Sequence, residues 1–236
     1  KYFEGVTIEN LCDLHKFDLA LETITFEATT KIEIKIKSLM SDVISSKYGT
    51  KINKDLRAEN FLPDKGGDPD EYTFVKMKKF IKGEIKKQIA NKHPAIIWNQ
   101  QKYNNFPFWV IANILTLGSI SKIFSKLQVC DQIEIAKHFG LNYVDLGQYL
   151  KHITLVRNVC AHNDVLYRYK VTNNIPQKRI EHKYKLLGII VNGFMIIYDV
   201  YIKINGKEEL LETLTYRSGE TTYSHSLLPK IQAEYY

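Results

Sequence analysis

The sequence is poor in residues that break or cross-link a chain. Glycine and proline number 12 and 6 among 236 residues, about 8% together against the roughly 12% of an average protein, which disfavours turn-rich β architectures and flexible chains. The three cysteines, Cys12, Cys130 and Cys160, lie far apart and form no CxxC pair. An odd, dispersed set supports neither a disulfide framework nor a cysteine-based zinc site, and a reducing cytoplasm is the expected location. Long hydrophobic runs are lacking as well. The two longest, residues 106–118 and 186–197, are interrupted by Asn113 and Asn192, and both fall short of the roughly 20 residues of a membrane span. No charged-then-apolar leader follows Lys1, so no signal peptide is expected. P-loop, GxGxxG and HExxH motifs are absent, which leaves nucleotide-fold and zinc-protease chemistry without support.

What the chain does have is moderate positive charge and helical periodicity. Lysine and arginine number 33 against 26 acidic residues, a net charge of +7 with a pI near 9.1, which favours a polyanionic partner without demanding one. Thr7 and Glu9 mark a helix start, and Ile8, Leu11, Leu14 and Leu21 recur at helical spacing with Asp18 as a polar interruption. Residues 31–37 alternate with the period of a strand, but Ile32, Ile36, Leu39 and Val43 also share a helix face. Glu33 stands four residues before Lys37 and no turn residue intervenes, so a helix is expected.

Gly49, Pro63, Gly66, Gly67 and Pro69 make residues 49–73 the main irregular connection and a candidate hinge. In the helix that follows, Phe74, Met77, Ile81 and Ile85 share one face, and Lys78, Lys79, Lys82, Lys86 and Lys87 occupy much of the rest. Those lysines are a solvated face in the plainest reading and phosphate contacts in the alternative. Pro107 opens an apolar helix expected to end at Gly118, with Ser119 or Ser121 capping the next. Asp131 starts a short helix ended by Gly140. Asn142 caps another, striped by Leu146, Tyr149 or Leu150, Ile153, Val156 and Cys160. Residues 183–204 read as a long apolar helix, and 216–236 as a polar tail, irregular or a β-hairpin. The expected fold class is all-α, in a single domain over residues 1–236.

One stretch concentrates catalytic residue types: Arg157-Asn158-Val159-Cys160-Ala161-His162. Metal-independent RNA cleavage needs a group titrating near neutral pH to move protons at the 2′-hydroxyl and the leaving oxygen, which suits histidine. It also needs a cation beside the charge developing on phosphorus, where arginine's permanent, planar donor fork serves better than lysine. Asn158 can orient a phosphate or the imidazole. The skeleton alone is weak: five arginines, seven histidines and three permitted spacings in 236 positions give roughly 0.4 chance matches. Five residues of helix also separate Arg157 from His162 by about 140°. A symmetric homodimer that pools two copies around one phosphate would remove that mismatch. His93, His138 and His152 have no partners at metal-ligand spacing, and each reads as a surface or half-buried histidine.

Three ordered blocks resemble a known family. Residues 17–21, residues 106–124 from Phe106-Pro107-Phe108-Trp109 to Ile123-Phe124, and residues 157–163 are similar to the bacterial Abi-like (abortive infection, AbiD and AbiF type) family. That resemblance implies membership of the HEPN ribonuclease superfamily. It implies a HEPN-like helical bundle with additional helices, often dimeric, that cuts RNA through an Arg-x4-6-His motif as an anti-phage toxin and needs no cofactor. Arg157, His162 and Asn158 then become the catalytic set, with Lys78, Lys79, Lys82, Lys86 and Arg168 as RNA contacts. The chain departs from the family pattern at Asn113, where glutamate is common, at Glu22, where arginine is usual, and at Val165, where an arginine usually follows the histidine. Arg168 is the residue that can substitute for the last. The alternatives are a non-catalytic RNA-binding or dimerisation module, restrained by a partner RNA or protein, and a purely structural role for Arg157 and His162 at a helix terminus.

Overall fold

The computed structural model describes residues 7–51, 56–66, 68, 71–167 and 169. Among these residues the fold is all-α: seven helices, one turn of 3-10 helix at Ala58–Asn60, and no strand beyond an isolated bridge between Phe61 and Leu127. The helices are α1 (Ile8–Tyr48), α2 (Phe74–Ala90), α3 (Pro94–Tyr103), α4 (Phe108–Ile114), α5 (Leu117–Phe124), α6 (Val129–Lys137) and α7 (Tyr143–Ala161). The readings of residues 183–204 and 216–236 lie outside the described residues, as do Arg168 and the basic residues Lys178, Arg179, Lys183 and Lys185.

Helix α1 starts on a reciprocal cap, with the Thr7 N–H donating to Asn10 Oδ1 at 3.1 Å and the Asn10 N–H donating to Thr7 Oγ1 at 3.3 Å. It runs unbroken through residues 31–37, where Lys37 pairs with Glu33 at 2.7 Å and Ile32 and Ile36 are fully buried. Two compact units make up the chain. One is built from Lys1–Ile32 with His152–Tyr236, the other from Glu33–Lys151. The division therefore falls within α1 and α7, and the irregular connection after α1 belongs wholly to the second unit and is not a hinge between parts.

In the second unit, α2 buries Met77, Ile81 and Ile85 and packs against α3 and α4. Each such side chain contributes about 1.5–3 kcal/mol on removal from water. The connection before α2 buries Leu56 and Phe61 and is also held by ion pairs. Lys126 Nζ reaches Asp64 at 2.7 Å and Glu71 at 3.2 Å. Glu71 also accepts the N–H groups of Lys65 and Gly66, which hold its carboxyl below the usual range. Gly66 takes φ +73°, a left-handed conformation that suits glycine. Across the same unit, the fully buried Asp131 accepts from Lys47 Nζ at 2.6 Å and from the Tyr48 hydroxyl.

Helix α4 ends earlier than Gly118. It stops at Ile114, and Thr116 caps α5 by accepting the Ser119 N–H at 3.3 Å. Gly118 lies inside the first turn of α5, and neither Ser119 nor Ser121 is a cap. Helix α6 starts at Val129, two residues before Asp131, and ends at Lys137, three residues before Gly140 (φ +60°); the Asn142 cap, which accepts the Asp145 N–H at 2.8 Å, is as the spacing implies.

Candidate active site

The site grows from the end of α7 and belongs to the first unit. Val156 and Cys160 are buried, which turns Arg157, Asn158 and His162 outward to different degrees: Arg157 is half-buried, Asn158 and His162 are exposed. Helical bonding extends through His162, whose N–H donates to Asn158 O at 3.1 Å and to Val159 O at 3.2 Å. Asn163 then takes φ +53°. The Asn163 N–H donates to Cys160 O at 3.4 Å and the Asp164 N–H to Val159 O at 3.1 Å. This pair of bonds around a left-handed residue is a Schellman terminus, and asparagine is the common substitute for glycine there. The chain reverses immediately after His162 and leaves the imidazole at the exposed helix end.

Because His162 is still in helical register, it stands one turn above Asn158 on the same face of α7. It lies about 7.5 Å along the axis and about 140° around it from Arg157. Arg157 is instead directed at α1, with Cζ 5.4 Å from the centre of the Phe26 ring. A cation over a partly exposed ring contributes about 0.5–1 kcal/mol. The structure thus brings Asn158 and His162 together and holds Arg157 on a separate face.

The residues after the motif meet α1 a second time. Asp18, only 5% exposed, accepts the N–H of Leu166 at 3.2 Å and of Tyr167 at 2.8 Å. Hydrogen bonds to a carboxylate contribute about 1.5–3 kcal/mol each. Glu22, one turn on, is buried, and its carboxyl is raised above the usual range. Burial is the main cause, with the charges of Asp18 and Asp164 adding to it and His15 opposing. The Cys160 thiol is pushed up to about 12, chiefly by burial and then by Glu22, so it stays a neutral thiol near pH 7 and is no nucleophile. Phe26, Asp18 and Glu22 were not read as site residues from the sequence. The signals there were a carboxylate interrupting an otherwise apolar register at Asp18, inside the block of residues 17–21 that resembles the family, and Glu22 where that pattern has arginine.

The other expected residues are placed as follows. Lys79, Lys82 and Lys86 are exposed on α2. Lys78 is half-buried with Nζ 5.7 Å from the centre of the Phe74 ring. Arg168 lies outside the described residues. His138 is exposed and His93 half-buried, but His152 is only 6% exposed and is a core histidine. No group of three or more His, Cys, Asp or Glu residues among the described ones has metal-holding geometry. No helix among them is long and apolar enough to cross a membrane.

A family model described as Abi-like protein matches residues 1–168. The chain belongs to the Abi-like protein family. Searches of curated proteins and of solved structures gave no match. The Abi-like match takes in all seven helices and ends just past Tyr167, so both the motif on α7 and the α1 residues that meet it fall inside the family region. The run from Arg157 to Asn163 ends on the Schellman terminus, with an exposed histidine in the turn that closes α7.

Proposed function

We propose that this Abi-like protein is a HEPN-type endoribonuclease, a cytoplasmic RNA-cleaving effector of bacterial abortive infection that works as a homodimer and needs no metal or organic cofactor. The observation that carries the reading is an exposed imidazole at the end of α7, on the face of Asn158, with a half-buried arginine five residues earlier on the same helix. His162 takes the proton of the ribose 2′-hydroxyl. The 2′-oxygen forms a bond to phosphorus and the bond to the 5′-oxygen breaks, leaving a 2′,3′-cyclic phosphate and a 5′-hydroxyl. The partner's copy of the same histidine protonates the departing oxygen. Arg157 stands beside the phosphorus, where negative charge accumulates, and a preformed cation there stabilises the transition state more than the ground state. Asn158, on the face of His162, orients the phosphate or the ring.

Purified protein incubated with labelled RNA is expected to cleave it equally with and without a chelator and to leave cyclic phosphate ends. Loss of activity with chelator would point to a metal enzyme. Binding without cleavage would point to the non-catalytic module.

The lysines of α2 are assigned to the RNA backbone. Binding should weaken steeply with salt, since each neutralised phosphate releases counterions. On a His162→Ala background, the Lys78→Ala/Lys82→Ala double variant is expected to bind all RNA sequences more weakly by a similar factor and to flatten the plot of log affinity against log salt by about one to two units. Identical slopes would assign these lysines to solubility.

A further inference from the structure

We propose that the first half of α1 is the template that positions both halves of the motif, Phe26 holding the Arg157 guanidinium and Asp18 holding the segment that leaves His162. The inference rests on the proposed ribonuclease function and names residues that the motif does not contain.

Two independent observations carry it. The first is Asp18. A carboxylate that is 5% exposed on the buried side of α1 serves no apolar packing, and burying it costs free energy unless its oxygens are bonded. Both oxygens are used, one on the N–H of Leu166 and the other on that of Tyr167, 148 and 149 residues away in sequence. Only three residues, Asn163 to Val165, separate His162 from these bonds, and all three are exposed. The helix end is thus fixed on one side by the Schellman bonds and on the other by Asp18, and His162 sits between the two anchors. Without Asp18 a helix terminus of this kind frays, and the imidazole loses its place.

The second is Phe26. Phe26 is 38% exposed and so is not a fully buried core residue, and its ring lies under the Arg157 guanidinium, with Cζ 5.4 Å from the ring centre. An arginine side chain has several rotatable bonds, and a ring beneath it limits the directions its fork can take. Phe26 is about 12 Å further along α1 than Asp18, so one rigid helix sets the place of Arg157 and of the segment after His162 together. Neither residue touches the reacting atoms. Both act by placing groups that do.

Four variants test this. Phe26→Leu keeps an apolar side chain at a partly exposed position and removes the ring, and Phe26→Trp restores one. Asp18→Asn keeps one acceptor oxygen. Leu21→Ala, a core truncation on the same helix, controls for lost stability. In single-turnover cleavage normalised to folded protein, Phe26→Leu and Asp18→Asn are each expected to be slower by roughly ten- to hundred-fold. The loss should lie in kcat with KM little changed, and Phe26→Trp should recover most of the rate. Amide exchange at Leu166 and Tyr167 should rise in Asp18→Asn and stay at its wild-type value in Phe26→Leu. Leu21→Ala should lower the melting temperature and leave the rate per folded molecule intact. Wild-type rates in both Phe26→Leu and Asp18→Asn, with His162→Ala inactive, overturn the template and leave the ribonuclease standing. Faster exchange at Leu166 and Tyr167 without slower cleavage would reduce Asp18 to a structural residue and equally overturn it. Cleavage that survives in His162→Ala, or a wild type that cleaves no RNA, overturns the proposed function and the template with it.

Discussion

Arg157→Ala and His162→Ala are each expected to lower RNA cleavage by at least about a hundredfold, and to remove toxicity on expression, with little change in melting temperature. The size follows from what each group is asked to do. General acid–base catalysis by one positioned side chain contributes about 10²–10⁴-fold, and removal of a single charge-stabilising donor costs about 10²–10³-fold. The small stability cost follows from the structure. His162 is exposed at the helix end, and its backbone bonds to Asn158 and Val159 do not depend on its side chain. Arg157 is only half-buried, and its contact with Phe26 contributes about 0.5–1 kcal/mol. A large drop in melting temperature in both variants would favour the structural alternative, in which these residues only tie α7 to its neighbours. Cleavage at the wild-type rate in both would remove them as catalysts.

The helical parts of this fold were legible because burial follows the sequence pattern locally. At residues 31–37 a strand would have put Ile32, Ile34 and Ile36 on one face. In the structure Ile32 and Ile36 are fully buried and Ile34 is 63% exposed, the result of a 3.6-residue period imposed by a helix that no turn residue interrupts. The α4–α5 boundary was misplaced because Gly118 reads as a stop when taken alone. The Thr116 hydroxyl competes for the Ser119 N–H, and a glycine at the second position of a helix is tolerated at modest cost. His152 shows the same limit, since its place in the core depends on which face of α7 turns inward.

For the site, Arg157, Asn158 and His162 are contiguous, and their spacing alone drew attention to them. Phe26 and Asp18 become site residues only through partners more than a hundred residues away. Nothing local to Phe17-Asp18-Leu19 says that this carboxylate will meet the backbone of Leu166 and Tyr167. The Asn163 turn was half-legible, because asparagine tolerates the left-handed conformation, but an asparagine after a histidine is too common to announce a helix terminus.

The remaining large effect concerns assembly. Helical bonding that reaches the His162 N–H makes the separation of about 140° between Arg157 and His162 real, and the Phe26 contact turns Arg157 further to its own side. One copy then offers one phosphate an imidazole or a guanidinium in line, not both with a second proton donor opposite. Two copies related by a twofold axis through the His162 faces supply two histidines and two arginines around one phosphate. Leu155 lies two turns before His162 on nearly the same face and is 44% exposed, an apolar residue where a partner helix would sit. The expected result is a homodimer in which cleavage per protomer falls as the protein is diluted through its dissociation range. Leu155→Glu should shift the dimer to monomer and lower cleavage at least about tenfold through like-charge repulsion across the axis. Raising the protein concentration should restore the rate in that variant. Adding an excess of an inactive Arg157→Ala/His162→Ala chain to wild type gives a second measure, because a mixed dimer lacks the second histidine and the second arginine and the activity should fall. A monomer that cleaves RNA with first-order dependence on enzyme down to nanomolar concentration, with no effect of Leu155→Glu, would sink the shared site.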